Sequence, residues 1–412
     1  MTGSPTADTA DERARVAADN LAAQAGVDRE EIARLVAYGL IGGPDAAGTY
    51  DAGDITRLRL IKALQDSGVG ADRLAAAVAD RRLSLEFAGS TVADPVGLSS
   101  TTFEEACAAA NVTPETFQRL MLALGFPTPA PSAPIRDDDL EFVRIYAAAR
   151  DMGIAEHVIL STLRSYAISV GRLVEASRGL VREQVEGQLL ARGMPYAEMF
   201  AAAARMRVAL QRFAYRTTYL LQRRLFEQAV YDNLIARFEE ALEERPAAPR
   251  RVATQAICFV DLSGFTERTE SLGDADAASI GAALVGIAQG QATLHGGNLV
   301  KPLGDGAMLH FVNVARAVRC AVRIVATARE SSLPPARAGV AAGPLIVQDG
   351  DYYGRTVNRA ARLLGVAQPE QVLVTAEIAA AVVETGLRFD DLGLVRLKGV
   401  NEEVHAFAAA IG

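Results

Sequence analysis

Two aspartates in the C-terminal part of the chain stand where their carboxylates can meet. Asp261 ends the apolar run ICFVD, which predicts a buried strand, and Asp305 lies in KPLGDGAML, where a glycine on each side permits a tight turn. Two carboxylates on adjacent strands repel each other and are costly to bury unpaired, a conflict that hard divalent cations remove. The pair predicts a metal site, although either aspartate alone also fits an ordinary turn or cap.

A second pair of polar residues lies about one helical turn apart. Asn358 and Arg362 belong to TVNRAARLLG, which predicts a helix, and the spacing i, i+4 puts both side chains on one face. Ala360 and Ala361 between them leave room for a ligand. The same pattern is also compatible with the solvated face of an ordinary amphipathic helix.

The elements that must position these residues follow the order β-α-β-β-α-β. Strands are predicted in ATQAICFVDLSGF, in the hairpin NLVKPLGDGAMLHFV and in ARAGVAAGPLIV, with helices in DADAASIGAALVGIAQGQATLH and ARAVRCAVRIVATARE. This order predicts an α+β, ferredoxin-like fold with helices on one face of an antiparallel sheet. We expect this domain over residues 253–412, after a proline-containing linker at 244–252.

Four segments of this domain, FVDLSGFT, GGNLVKPLGDGAML, GDYYGRTVNRAARL and LKGV, resemble the class III adenylate and guanylate cyclase family in order and approximate spacing. The resemblance implies that Asp261 and Asp305 bind two divalent ions, Mg or Mn, as in two-metal phosphoryl transfer. One ion would activate the ribose 3′-hydroxyl and the other would hold the triphosphate. The backbone from Leu262 to Phe265 begins a helix, so its N–H groups are expected to face the phosphates.

The same resemblance assigns the remaining substrate contacts. Lys301 and Asp351 stand at the base-reading positions, where a lysine donates to adenine N1 and an aspartate accepts from the 6-amino group, so ATP is favoured over GTP. Asn358 would orient the ribose, and Arg362 would stabilise charge on the α-phosphate in the transition state. Two further cations match the triphosphate-binding positions, namely Arg337 and Lys398.

The resemblance also implies an assembly. In this family the metal-binding aspartates and the base-reading residues come from different catalytic domains, packed head to tail about a two-fold axis. This chain has one such domain with both halves of the set. A homodimer with two active sites is therefore expected, and it would convert ATP to 3′,5′-cyclic AMP and pyrophosphate.

The N-terminal half, residues 1–243, shows helical periodicity and almost no strand pattern, which predicts an all-α regulatory domain. It contains a repeat, at about 20–80 and 105–165, with a constant offset of 85 residues that pairs Val27 with Val112 and Asp54 with Asp139. Each unit resembles a helix-turn-helix. The predicted second helices are short of Lys and Arg, so a packing module that binds no DNA is the favoured interpretation.

The whole arrangement resembles soluble actinobacterial adenylate cyclases whose N-terminal domain inhibits the catalytic domain and senses acid. Histidine is the usual sensor, with an unperturbed pKa of about 6.5. This half contains only His157, so the acidic cluster Asp137 to Asp139 is an alternative proton sensor. A small apolar ligand between the helices is an alternative stimulus, and the sequence leaves these choices open.

Composition excludes several other classes. The chain has 412 residues, 50% hydrophobic residues and a net charge of −8, which is typical of a folded protein and disfavours general nucleic-acid binding. The N-terminus lacks the pattern of a signal peptide, no apolar run approaches the roughly 20 residues of a membrane helix, and the three cysteines lack metal-ligand spacing. We expect a cytoplasmic protein. The alternative functions are a nucleotide-binding transcriptional regulator, a guanylate cyclase and an inactive scaffold.

Overall fold

The computed structural model describes most of the chain, in residues 15–90, 96–128, 130–242, 255–265, 273–382, 386–396 and 403–412. It divides into two compact units, Met1–Glu244 and Arg245–Gly412. Each unit is described by itself below. The predicted linker at 244–252 lies outside the described residues.

The N-terminal unit begins with a small helical module that carries a short antiparallel strand pair. Its elements are β1 (Arg15–Ala17), α1 (Ala18–Ala25), α2 (Arg29–Ala37), β2 (Thr49–Asp51), α3 (Gly53–Asp66) and α4 (Ala71–Ala79), with β1 paired to β2. Gly26 ends α1 in the left-handed conformation, and the Asp28 carboxylate begins α2 by accepting from the Glu31 N–H. Apolar faces of the helices close a core around Leu58 and Ile61.

A second module repeats the same order of elements. They are β3 (Leu98–Thr102), α5 (Phe103–Ala109), α6 (Pro114–Leu124), β4 (Pro134–Arg136), α7 (Asp137–Asp151) and α8 (Glu156–Leu180), with β3 paired to β4. Both modules thus have the element order β-α-α-β-α-α. The strand pairs were not predicted, so this half is mainly helical rather than all-α. Strands of three to five residues are too short to show a clear alternation of apolar and polar residues.

Longer helices end this unit. A π-helical segment, Val181–Glu186, leads into α9 (Gly187–Ala191) and then into α10 (Tyr196–Leu242). The last helix has 47 residues, which at 1.5 Å per residue gives a length of about 70 Å. Much of its apolar surface is exposed, including Phe213 and Phe238.

The C-terminal unit is built on a mixed sheet. Its elements are β5 (Gln255–Leu262), α11 (Asp274–Leu294), β6 (Gly297–Pro302), β7 (Gly306–Phe311), α12 (Val314–Glu330), β8 (Ala336–Gly343), β9 (Ile346–Gln348), β10 (Asp351–Tyr353), α13 (Arg355–Val366), β11 (Val372–Thr375), α14 (Ala376–Ala381), β12 (Leu387–Arg396) and β13 (Glu403–Ile411). Seven strands form one sheet in the order β12-β13-β11-β8-β5-β7-β6, and β9 pairs with β10 separately. Neighbours in the large sheet are antiparallel except β8 and β11.

The central strand β5 shows how the sheet separates two cores. Cys258 and Val260 face the core that contains buried residues of α11 and α12. Ile257 and Phe259 face the opposite core, which contains Ala360 of α13. Helices therefore cover both faces of the sheet, and the expectation of helices on one face only was wrong. Because side chains alternate along a strand, Asp261 lies on the α13 side.

Helix α11 differs from the sequence expectation in one respect. Its segment Asp276–Leu294 is long and apolar enough to cross a membrane, although no run of that kind was expected from the sequence. Leu284, Ala288 and Ala292 are buried in the core of the C-terminal unit. One face of α11 therefore packs in the core of this unit.

Candidate active site

Asp261 lies near the end of the central strand, between two neighbouring strands. It is in register with Gly306 of β7 and with Arg337 of β8. Burial, followed by the negative charge of Asp305, raises the pKa of Asp261, and the hydrogen bond and charge of Arg337 lower it in part. The site therefore holds a carboxylate whose charge needs a cation nearby.

Asp305 lies in the turn between β6 and β7, and its backbone is tied to β5. The Leu262 N–H donates to the Asp305 carbonyl oxygen at 3.3 Å. Gly304 in the same turn has a φ of +71°, which favours glycine. A Cβ added at Gly306 would lie 2.6 Å from the Val260 carbonyl oxygen and 3.2 Å from Asp261 Oδ1. Glycine is thus required for the two aspartates to stand side by side.

Arg337 is the cation that contacts this pair. Its Nη2 donates to Asp261 Oδ2 at 3.3 Å, and its Nη1 donates to the Ala367 carbonyl oxygen at 3.3 Å. Its Nε is buried without a hydrogen-bond partner. Sequence reasoning placed Arg337 on the triphosphate and missed its contact with Asp261, which only the pairing of β5 with β8 reveals.

The residues present suit a divalent cation of the hard type. Asp261 and Asp305 offer carboxylate oxygens, and the raised pKa of Asp261 shows that its charge is poorly compensated. Among the described residues, no group of three or more His, Cys, Asp or Glu side chains is placed to hold a metal. Magnesium often binds through one or two carboxylates, with waters and substrate phosphates as its other ligands, so two aspartates are sufficient.

The predicted base-reading residues lie in contact with each other. Lys301 of β6 forms an ion pair with Asp351 at the start of β10, with both side chains partly exposed. The Asp351 carboxylate also accepts from the Tyr352 N–H at 2.9 Å. A donor and an acceptor that are 50 residues apart in the chain are thus side by side on one surface.

Helix α13 carries the remaining pair on the same side of the sheet as Asp261. Asn358 is exposed and Arg362 is partly buried. Ala360 packs into the core, and a Cβ added at Gly339 of β8 would overlap the Ala360 carbonyl oxygen, so the helix lies directly on the strand. Within the described part of the chain, neither Asn358 nor Arg362 uses its side chain in a hydrogen bond or ion pair.

Further substrate contacts were predicted for the segment Leu262 to Phe265 and for Lys398. The N–H groups of Leu262 and Ser263 are used inside the domain, since the first donates to Asp305 and the second donates to the Pro335 carbonyl oxygen at 2.8 Å. These two N–H groups are therefore not free to face phosphates, and the expectation for the rest of the segment Leu262 to Phe265 stays a prediction. Phe265 is partly buried against the core. Lys398 lies outside the described residues.

A supporting aromatic contact was not predicted. The His310 ring stacks on Tyr352 with centroids 4.4 Å apart, and His310 Nε2 lies 2.7 Å from Gln255 Oε1. Burial lowers the pKa of His310 to about 4, so the ring is neutral at physiological pH. Tyr352 is thus held beside Asp351, which it also contacts through its backbone. Nothing in the local sequence around His310 indicates this role.

Comparison with known proteins gives matches to both units. The family model described as "Adenylate and Guanylate cyclase catalytic domain" matches residues 335–409, and the model described as "Rv1828-like, C-terminal domain" matches residues 14–86. An adenylate cyclase of Streptomyces coelicolor is 27% identical over 286 residues, which are 68% of this chain and 71% of that protein.

Two mycobacterial proteins and one solved structure are also similar. An uncharacterised protein of Mycobacterium tuberculosis is 28% identical over 325 residues, 77% of each chain. A pH-sensitive adenylate cyclase of M. tuberculosis is 30% identical over 161 residues, 38% of this chain and 40% of that protein. The structure of an adenylyl cyclase from P. aeruginosa gives a TM-score of 0.35 at 21% identity, covering 39% of this chain and 94% of that chain.

Proposed function

Because residues 335–409 match the family of adenylate and guanylate cyclase catalytic domains, we propose that this chain converts ATP to 3′,5′-cyclic AMP and pyrophosphate at a site shared by two copies of the chain. The observation that carries the choice of ATP is the contact between Lys301 and Asp351. Adenine presents an acceptor at N1 and a donor at its 6-amino group, which complement a lysine and an aspartate. Guanine presents the opposite pattern at these positions, and it would leave both side chains unsatisfied.

We assign the phosphate chemistry to the Asp261–Asp305 pair and to the Asn358–Arg362 pair. Divalent cations held by Asp261 and Asp305 would promote ionisation of the ribose 3′-hydroxyl and neutralise the triphosphate. Arg362 presents a guanidinium that makes no other bond in the described residues, so it is available to the α-phosphate as charge develops there. Asn358, one turn earlier on the same exposed face of α13, would hold the ribose. Arg337 would move between Asp261 and the triphosphate.

Two further substrate contacts rest on the family resemblance. Lys398 would bind the triphosphate, and Phe265 would shape the substrate side of the segment that follows β5. Within the described residues, no hydrogen bond or ion pair joins the Asp261–Asp305 pair to the Lys301–Asp351 pair. The family resemblance assigns the two pairs to different chains, so that each chain supplies one of the two sets to a shared site.

The long helix α10 supports the same homodimer. Five of its exposed apolar residues recur at intervals of seven or eleven positions, which keeps them on one face of the helix: Met206, Phe213, Leu220, Tyr231 and Phe238. Phe213 is 67% exposed and Phe238 is 64% exposed in the single chain, which is unfavourable in water. A second copy of α10 would cover this seam.

The N-terminal unit is the proposed regulator, and one similar protein is a pH-sensitive adenylate cyclase. Regulation is physically simple in such an assembly. A site shared by two chains is active only when they are aligned, so a shift of about 1–3 kcal/mol in that alignment changes activity roughly 5- to 150-fold. His157 is exposed on α8, whereas Asp139 of the acidic cluster is buried. We therefore propose a proton sensor in this unit, and a cytoplasmic location for the protein.

The domain assignments are supported by topology. Within the large sheet, β8, β5, β7 and β6 are neighbours in that order, and α11 and α12 connect them in the sequence β-α-β-β-α-β. This is the strand order of a split βαβ, ferredoxin-like unit, which we propose for the C-terminal domain.

The direct test is product formation from ATP by the full chain and by residues 246–412, with Mg or Mn, at about pH 6 and pH 8. We expect cyclic AMP from the wild type, none from Asp305→Ala, and far less product from GTP. A Glu330→Ala variant removes an exposed carboxylate at the end of α12 and should stay active. Absence of cyclic nucleotide from ATP and GTP alike would refute the proposal.

A further inference from the structure

Each module of the N-terminal unit contains a buried aspartate at the equivalent position, but only the first module pairs it with an arginine. Asp54 in the first module is 2% exposed and pairs with Arg57, whose Nη1 lies 2.7 Å from Asp54 Oδ1. The equivalent residue in the second module, Asp139, is 6% exposed. The equivalent of Arg57 is Phe142, which carries no charge. The second module has thus kept the buried carboxylate and lost its cation.

No other side chain of the described residues replaces that cation. The Arg136 guanidinium is bound to Asp138, with both hydrogen bonds at 2.8 Å; its backbone N–H donates to Asp139, and its charge lowers the pKa of Asp139 only in part. Arg59, also nearby, donates to the carbonyl oxygens of Gln24 and Val96. Burial and the neighbouring charge of Asp138 raise the pKa of Asp139. A buried carboxylate without an ion-pair partner is costly, so its retention calls for an explanation.

A cavity lies directly against this carboxylate. It has a volume of about 430 Å³ and is lined by Met121, Phe126, Pro127, Thr128, Pro134, Arg136, Asp138 and Asp139. The Phe126 ring packs against Phe142 with centroids 6.5 Å apart. The residue that replaces the arginine therefore supports an aromatic wall of the cavity. The volume is within the range of sites for small organic molecules, roughly 300–1,000 Å³.

We propose that this cavity binds a small organic cation, an amine or quaternary ammonium on an apolar body. The positive group would pair with Asp139 and take the place that Arg57 occupies in the first module. Aromatic rings attract cations through the negative charge of their faces, and the thioether of Met121 adapts to varied apolar shapes. Arg136 also lines the cavity, but its guanidinium is paired with Asp138, so Asp139 is the carboxylate left without an ion-pair partner. With the aromatic ring and the thioether, Asp139 favours a cation with an apolar body over a neutral or anionic molecule.

The proposal does not depend on cyclase activity, and binding tests it directly. Isothermal titration of the full chain with benzyltrimethylammonium is compared with titration by benzyl alcohol, which lacks the charge. We expect the cation to bind and the alcohol to bind at least about tenfold more weakly. Asp139→Asn, which keeps the shape and removes the charge, should weaken cation binding by about tenfold or more.

Two further variants separate this site from general effects. Phe142→Arg restores the internal ion pair of the first module and should abolish cation binding. Asp66→Asn removes one exposed carboxylate elsewhere in the unit and should bind like the wild type. Circular dichroism of each variant confirms that it is folded. The proposal is overturned if folded Asp139→Asn binds within about twofold of the wild type, if benzyl alcohol binds as well as the cation, or if the wild type does not bind at about 1 mM.

Discussion

Gly306 controls the distance between the two aspartates, so its replacement by alanine should impair the site through a small displacement. The added Cβ would lie 2.6 Å from the Val260 carbonyl oxygen, whereas real Cβ contacts essentially never fall under 3.0 Å. Strands β5 and β7 must therefore separate by about 0.4 Å or more, the difference between these two distances. Because the nearest atom belongs to the backbone, no rotamer change relieves the overlap.

Two effects of Gly306→Ala follow from this geometry. Overpacking of this kind costs typically about 1–3 kcal/mol of unfolding free energy. A displacement of about 1 Å can lower a rate 100-fold, so a shift of nearly half that size should lower kcat by about tenfold. We expect both a lower Tm and a lower kcat at saturating ATP, measured by thermal unfolding and by cyclic AMP formation.

Gly286 provides a matched control for this substitution. It lies on an exposed face of α11, and an added Cβ there would meet no atom within 4 Å. Gly286→Ala should leave kcat unchanged and raise stability by roughly 0.5–1 kcal/mol, because alanine favours the helix interior. If Gly306→Ala kept the kcat and Tm of the wild type, the role assigned to this glycine would be wrong.

Three other predictions concern the base, the phosphate and pH. Lys301→Ala should lower kcat/KM for ATP by about 10- to 100-fold, and adding Asp351→Ala should cost little more, because the two side chains act as a pair. Arg362→Ala should lower kcat by about 100-fold with an unchanged Tm, since its side chain bonds to no described residue. His310 has a folded-state pKa below its unfolded value, so its contribution is present above about pH 6.5 and is lost as pH falls toward about 4. Unfolding of residues 246–412 at pH 7 and pH 4.5 should show a loss of about 2–3 kcal/mol from this source, and His310→Gln should show a smaller loss.

The metal-binding pair is the part of the site that sequence predicts best. An apolar strand ending in Asp261 and a glycine-flanked turn at Asp305 imply adjacent strands, and adjacency brings the carboxylates together. The contact between Lys301 and Asp351 is different, because these residues are 50 positions apart and no local pattern joins them. Only the family resemblance singled them out, and only the fold shows them in contact.

Other features depend on packing that no single segment encodes. The position of α13 on the second face of the sheet follows from the close approach of Ala360 to Gly339, two residues that look unremarkable in the sequence. The strand pairs of the N-terminal modules form from segments of three to five residues, which show no clear period. The repeat in the sequence shows that no arginine stands opposite Asp139, but only the structure shows the cavity beside this carboxylate.

The measurement that tests the shared active site most directly is complementation between two inactive variants. Asp305→Ala lacks a metal-binding carboxylate and Lys301→Ala lacks a base-reading cation that the other chain would supply, so each should form little cyclic AMP alone. Mixed in equal amounts, about half of the dimers would contain one copy of each, with one of two sites intact, which predicts recovery of about a quarter of the wild-type rate. If the mixture stays as inactive as its components while the wild type makes cyclic AMP, the two sets of residues do not meet across chains and the account is contradicted.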